Sequence, residues 1–464
     1  MNDTKRKLMS FTFYDRTGIQ RRLEEQAALG WMLEKTTGFG WLFRRIEPAK
    51  IHFAVTYFPS ATAFDPKPSE KQQRFQDFCA HTGWELVSSN AQLQIFCNRA
   101  ENPIPIETDP EIELQNIHAS VKKTFLPVYL LNMVLPLMQF GLFFQRLSWD
   151  PIGELSSTPA LISLMLYAIL LFFAVSSLQM YLSWYRKAKK AAENGIFLET
   201  RSTDRFQIVI LSCAVLALIC LGVSYNDSWV LWSMVLMVAS IFAITALVLW
   251  ISNRMKKRGV SARGNQAVTY GMCILLSLLV CGALIWVIAG NLHSDREHAD
   301  AAGSYDYHGM TWYVYDDEIP LTIEDLMETD YDGYSYEVIS DQSSPLLARF
   351  QARQKTRYDA LEEPELSYHV VTVKADFLYD WTVEKMLSDF AHNYGHPEDD
   401  PYWEEHISIE ASPWGAEQAF QLTLGGESVE RYLLCYPDRI VEIDLDWFPT
   451  EEQMGIIGSA LAPE

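Results

Sequence analysis

Five stretches of this 464-residue chain contain no Asp, Glu, Lys, Arg or His: 125–144, 160–184, 206–224, 229–252 and 267–290. A helix needs roughly 20 apolar residues to cross the hydrocarbon core of a bilayer. A buried helix of a soluble protein is usually much shorter, so five such stretches imply a multi-pass membrane protein. Its solvent over residues 125–290 is the lipid bilayer. Pro127, Asn132 and Pro136 interrupt the first stretch, which reads as a kinked full crossing. Proline is tolerated in membrane helices where neighbouring groups satisfy the freed carbonyl.

Basic residues in short loops mark the cytoplasmic side. Loop 185–205 holds Arg186, Lys187, Lys189, Lys190, Arg201 and Arg205, and loop 253–266 holds Arg254, Lys256, Lys257, Arg258 and Arg263. Loop 145–159 has only Arg146 and loop 225–228 has no basic residue, while Lys122 and Lys123 precede the first span. The expected orientation in the cell membrane is N-terminus cytoplasmic, C-terminus extracytoplasmic. The opening MNDTKRKLMSFTFYDR lacks the apolar region of a signal peptide, so the first span is expected to direct insertion. Ion pathways and proton relays place ionisable groups inside the membrane. Their absence from these spans disfavours a coupled transporter. Asn132, Gln139, Ser176, Ser177, Gln179, Ser240 and Thr245 are expected to hydrogen-bond from helix to helix.

The net charge of −22 is unevenly spread. Residues 291–464 hold 38 of the 59 acidic and 9 of the 37 basic residues, a net of −29, whereas residues 1–124 hold 16 basic and 15 acidic ones. Such a field excludes direct nucleic-acid binding by the C-terminal part and would attract cations or cationic peptides. Cys213, Cys220, Cys273 and Cys281 fall in apolar spans, Cys79 and Cys97 in the N-terminal part, and Cys435 stands alone in the acidic part. That distribution is not a disulfide framework.

Two N-terminal stretches share one pattern: LEEQAALGWMLEKTTGFGWLFRR at 23–45 and FQDFCAHTGWELVSSNAQLQIFCNR at 75–99. Aligning Gly30-Trp31 with Gly83-Trp84 gives a period of 53 residues. Each glycine ends an amphipathic helix, since glycine takes the left-handed C-cap without strain. Strands are expected at Lys7–Tyr14, Met32–Thr36, Trp41–Arg45, Ile51–Phe58, Glu85–Ser89 and Gln92–Asn98. Residues 1–124 thus read as an α+β domain of two βαββ repeats, with Trp31 and Trp84 packed where helix meets sheet. The aromatic strand near Phe11–Tyr14, the run LEEQAALGW, the strand Lys50–Tyr57, and GWELV followed by Leu93–Phe96 resemble the bacterial membrane-associated domain of unknown function 2812, over about residues 5–100. The resemblance implies a domain that often continues into membrane helices. Some of its members resemble parts of regulatory units encoded near PadR-type repressors. It implies no enzyme activity, ligand or functional residue.

Residues 291–302 read as a linker and 303–464 as an acidic extracytoplasmic α+β domain, too rich in aromatics for a disordered tail. Strands are expected at Met310–Tyr315, Ser367–Ala375, Phe420–Leu424, Arg431–Tyr436 and Ile440–Asp444. Helices are expected at Thr322–Glu328, Ser344–Glu362, Trp381–Tyr394 and Thr450–Leu461, the last opening on a capping box of Thr450 and Gln453. Asp330 and Asp332, before Gly333, resemble half of a calcium loop, but its twelfth position is Ile339, not the bidentate glutamate. His392 and His396 stand one helical turn apart, as a zinc pair would, although Gly395 and Pro397 argue that the helix has ended. Asp316-Asp317-Glu318 reads as a solvated loop.

The chain has no GxSxG, HExxH, P-loop or dinucleotide fingerprint, hence no expected catalytic residue or cofactor. The sequence favours a non-enzymatic sensor or regulator that meets a cytoplasmic regulatory protein through residues 1–124. The alternative is an accessory or scaffolding subunit of a membrane complex such as a transporter.

Overall fold

A computed structural model describes residues 3–7, 11–37, 40–200, 204–224, 228–292, 301–358, 363–391 and 403–462. The chain divides into two compact units, Met1–Gly141 with Ser163–Ala283 and Leu142–Ile162 with Leu284–Glu464.

In the first unit, side-chain caps and glycines set the helix ends. Asp15 accepts from the Gly18 amide at the start of α1 (Arg16–Ala28). That helix follows β1 (Thr4–Lys7) and leads into β2 (Trp31–Thr37), β3 (Gly40–Arg45) and β4 (His52–Tyr57). Ser69 caps α2 (Glu70–His81) in the same way, before β5 (Glu85–Asn90) and β6 (Leu93–Asn98). Gly30 at φ 83° and Gly83 at φ 84° end the two helices in the left-handed conformation. The strands form two antiparallel sheets of matching order, β1-β3-β2 and β4-β6-β5. Bulges fall between Leu33 and Lys35 in β2 and between Leu86 and Ser88 in β5. Thr36 ties the sheets together, its hydroxyl 2.8 Å from that of Ser88.

Two expectations change here. The strand expected at Lys7–Tyr14 ends at Lys7; residues 8–10 lie outside the described residues, and 11–14 turn so that the Asp15 amide reaches Thr12 O. The aromatics that resembled a strand pack instead, Phe11 on Trp41 at 5.3 Å and Tyr14 into the core. Trp84 is buried as expected, and its indole N–H donates to Ile104 O. Trp31 differs, lying half-exposed under the Lys5 ammonium at 4.0 Å.

Six helices follow: α3 (Pro110–Trp149), the short α4 (Pro151–Ser156), α5 (Thr158–Ala192), α6 (Asp204–Ser224), α7 (Ser228–Lys257) and α8 (Ala262–Leu292). All but α4 are long and apolar enough to cross a membrane. α3 runs unbroken through Pro127 and Pro136, and its 40 residues span roughly 60 Å at 1.5 Å per residue. Ser176, Ser240 and Thr245 do not bridge helices; each hydroxyl donates to a carbonyl of its own helix, at Phe173, Met237 and Ile241. A turn-local acceptor three or four residues back is always within reach of a helical hydroxyl.

The second unit is built on a seven-stranded antiparallel sheet. Its elements run β7 (Gly303–Tyr307), β8 (Met310–Val314), α9 (Ile323–Leu326), β9 (Ser335–Ser343), β10 (Leu347–Lys355), β11 (Leu366–Val373), α10 (Tyr379–Phe390), β12 (Glu404–Ile409), β13 (Gln418–Leu424), β14 (Glu427–Tyr436), β15 (Arg439–Leu445) and α11 (Glu451–Leu461). The sheet order is β12-β13-β14-β15-β11-β10-β9, and β7-β8 form a separate hairpin. Both faces are covered. One core joins α9 and α11 to the sheet through Leu321, Ile323, Trp414, Ile443 and Ile457; the other joins α10 and α4 through Met386, Phe390, Leu433 and Ile152.

The helix expected at Ser344–Glu362 is strand β10, and 359–362 lie outside the described residues. Its Leu, Ala, Arg, Gln and Lys are good helix formers, but pairing on both edges overrides that weak preference. The expected capping box is present, with Thr450 and Gln453 bonded reciprocally. Of the expected linker, residues 293–300 lie outside the described residues, and α8 extends to Leu292.

Candidate functional site

In the first unit, the core of the N-terminal domain does not stop at its sheets. It continues through Ile117, Val121 and Phe125 of α3 and Tyr181 of α5, packed against Tyr14, Ile19, Leu23 and Ile51. Tyr14 is the centre of this contact, stacked on Trp184 at 5.1 Å and edge-on to Phe125 at 5.9 Å. The His118 ring lies 4.3 Å from that of Tyr185, with its Nδ1 2.7 Å from the Tyr181 hydroxyl.

A polar group sits beside these rings. Arg16 Nε meets Glu113 Oε1 at 2.9 Å, and the Arg16 guanidinium lies 5.8 Å from the Phe197 ring. Asp15 is fully buried and accepts from the Thr200 hydroxyl; the Thr200 amide donates in turn to Thr17 Oγ1 at 2.9 Å. The segment after α5 is thereby fastened to the start of α1. Glu107 has one buried carboxylate oxygen with no hydrogen-bond partner among the described residues. Burial, then repulsion from Glu113, pushes its pKa up to about 8 against the opposing pull of Arg16. Elsewhere in the unit, Asn265 Nδ2 donates to Phe64 O at 3.3 Å and Lys123 Nζ to Pro59 O at 2.7 Å.

In the second unit, the connection between α3 and α5 is seated on the seven-stranded sheet. Asp150 caps α4 by accepting from the Gly153 amide at 2.9 Å, and Pro151 occupies the first helical position, where its missing N–H costs nothing. The second Asp150 oxygen accepts from Arg349 Nη1 at 2.6 Å. Ser344 Oγ donates to Leu155 O, and Thr158 Oγ1 to Ser343 O, each at 2.6 Å, while Ile152 is buried against the sheet. Burial alone would raise the Asp150 pKa, but the Gly153 amide and Arg349 outweigh it and hold the carboxyl below its usual range. Beneath the pair lies His369 on β11. Burial, reinforced by Arg349, pushes its pKa down to about 4. Its Nε2 is buried without a partner among the described residues. A cavity of about 580 Å³ opens beside this clamp, lined by Leu142, Gln145, Trp149 and Gln342 among others.

Asp330 and Asp332 are exposed on the segment between α9 and β9, and His392 and His396 lie outside the described residues. Among the described residues no group of three His, Cys, Asp or Glu is placed to hold a metal ion. The residues that fasten α3, α4 and α5 do not stand out in the sequence, apart from one signal: Asp150-Pro151 at the head of DPIGEL is a helix start.

No curated protein and no solved structure matches the chain. Residues 16–129, from the first residue of α1 to Tyr129 within α3, match the model of the family described as Protein of unknown function (DUF2812).

Proposed function

We propose that the protein is a non-enzymatic membrane sensor or regulator, in which α3 and α5 carry a conformational signal between an extracytoplasmic C-terminal domain and a cytoplasmic N-terminal domain. The observation that carries this reading is that α3 and α5 each have one end in each unit and are held at both. At one end they belong to the N-terminal core, and at the other they join the clamp on the C-terminal sheet. Displacement of α4 on the sheet therefore acts on two helices whose opposite ends are part of another domain's core. The family match also runs past the sheets into α3, as expected if domain and helix form one functional piece.

The proposed orientation follows the basic loops. Residues of the N-terminal domain contact segments 196–200 and 265–270, next to the basic-rich connections. Residues of the C-terminal domain contact the basic-poor connection at 150–158. An odd number of crossings separates those two kinds of loop. The two βαββ halves, with equal sheet order and equally placed bulges, are read as a duplication. The output is contact with a cytoplasmic regulatory protein.

Hydrogen exchange on the full chain tests the coupling. The clamp substitution Arg349→Ala is expected to change amide protection at α1 and the first turns of α3. Changes confined to residues 142–162 and 284–464 would leave the sensor reading without its basis. Protease added to intact cells tests the orientation, with cleavage expected beyond residue 291 or in the connections 145–159 and 225–228 and none within residues 1–124, 185–205 or 253–266.

A second reading, an accessory subunit of a membrane complex, is favoured by the open flanks of the spans. Only 6–22% of the most apolar window of each is buried within the chain. Co-purification of other membrane proteins in mild detergent would distinguish it from a self-contained sensor.

A further inference from the structure

Strand β10 and the two residues after it concentrate what the acidic C-terminal domain otherwise lacks. Arg349, Arg353, Lys355 and Arg357 are four of the nine basic residues in 291–464. Alternation along a strand puts neighbours on opposite faces. Ala352, Gln354 and Thr356 are buried on one side, so Arg353, Lys355 and Arg357 share the other. On that side, β10 and the β7–β8 hairpin line a cleft of about 390 Å³.

Its walls are aromatic. The Arg357 guanidinium lies 4.3 Å from the Tyr305 ring, and the Trp312 and Tyr358 rings are 4.1 Å apart. Two polar groups in the cleft lack a close partner among the described residues, although Glu337 and Glu365 attract Lys355 from farther off. Arg353 is paired with Glu337 at 2.6 Å, but the Lys355 ammonium makes no ion pair among the described residues. The Trp312 indole N–H is buried and has no acceptor among the described residues. An indole N–H only donates and an ammonium only donates, so the missing partner is an acceptor oxygen, best an anionic one.

We propose that this cleft binds a small carboxylate carried on a ring, its carboxylate held by Lys355 and the Trp312 N–H and its ring set against Tyr305, Trp312 and Tyr358. A polyanion is excluded, because the domain's net of −29 repels it over distances that a local basic strand cannot offset. Repulsion scales with the ligand's own charge, so a single carboxylate meets the least of it, and salt screens that field beyond about 10 Å. The cleft volume suits a small molecule, and aromatic faces take up either an aromatic or a sugar ring. The ligand has the opposite sign to the cations that the domain's overall charge would draw. The inference stands independently of the sensor reading.

Calorimetric titration of the purified full-length protein tests it, with phenylacetate and glucuronate as the two acids and phenylacetamide and methyl glucoside as their uncharged counterparts. At least one acid is expected to bind about ten-fold more tightly than its counterpart, and which one identifies the ring. Lys355→Gln is expected to abolish that preference and Trp312→Leu to weaken the acid several-fold, with thermal melting confirming that both variants fold. Two outcomes overturn the proposal, and neither depends on a variant. One is no binding of either acid up to about 10 mM; the other is equal binding of acid and uncharged counterpart by the unaltered protein.

Discussion

The two ends of the α3–α5 pair are held by different physics. In the first unit, Phe125 and Tyr181 are buried among Tyr14, Ile19 and Ile51, so the helices form part of a hydrophobic core. In the second unit, α4 buries Pro151 and Ile152 and packs Leu155 partly against the sheet, and the rest of the attachment is polar: Asp150 to Arg349, Ser344 to Leu155 O, Thr158 to Ser343 O. Apolar burial is non-directional and grows with area, whereas exposed ion pairs contribute little and respond to salt. A firm joint at one end and an adjustable one at the other suit a transmitter better than two equal joints would.

The largest test of this contrast is Phe125→Ala. The Phe125 ring lies 4.1 Å from Tyr129, 5.8 Å from Tyr181 and 5.9 Å from Tyr14, and its removal leaves a cavity among rings that cannot all collapse. A loss of about 3–5 kcal/mol is expected, read from thermal melting of the purified protein. If the loss is no greater than for Ile152→Ala at the clamp, the two joints are equally firm.

The two joints should also respond to pH in opposite directions. Glu107, beside the N-terminal joint, has its folded pKa raised from 4.5 to about 8. The folded state therefore binds more protons than the unfolded one between those values, and stability is lost as pH rises through that window. Glu107→Gln is expected to remove this loss, recovering on the order of 2 kcal/mol above pH 8. Unchanged melting of the variant at alkaline pH would show that the carboxyl is well solvated.

His369, under the clamp, has its folded pKa lowered from 6.5 to about 4. Here the unfolded state binds the proton first, so the stability present above pH 6.5 is lost as pH falls toward 4. The expected loss is on the order of 1–2 kcal/mol, and His369→Phe should flatten it. Equal acid sensitivity in both proteins would remove His369 from the account.

Much of this comparison lies at the limit of what a sequence can disclose. The five spans, the helix-ending Gly30 and Gly83, and the Thr450–Gln453 cap each follow from patterns contained within one element, and the structure contains them all. LARFQARQK has the propensity of a helix, and only its pairing with β9 and β11 makes it the strand β10. Strands β7, β9 and β12 leave no clear signal in the sequence because their alternation is weak: Ser335–Ser343 is half-buried or exposed throughout. The joints were less legible still. Thr17 meets Thr200 across 183 positions and Arg349 meets Asp150 across 199, and no local period records such distances. The acidic clusters that drew attention at Asp330 and Asp332 are exposed, while the basic residues that form a cleft are few and spread along one strand.

The smallest effect is the most informative about signalling. Arg349→Ala deletes the ion pair with Asp150, whose side chain is 56% exposed, so the loss of stability is expected to be only about 0.5–1 kcal/mol. Ile152 stays buried and Asp150 still caps the helix by accepting from the Gly153 amide, so α4 should remain folded on the sheet but less firmly held. A purely structural clamp would then alter protection in its own unit alone. A clamp that sets the position of α3 should also alter protection near Glu113 and Ile117, residues that touch no part of the clamp, with little change in melting temperature. High salt should reproduce that effect in the unaltered protein, because it weakens an exposed ion pair and leaves apolar burial intact.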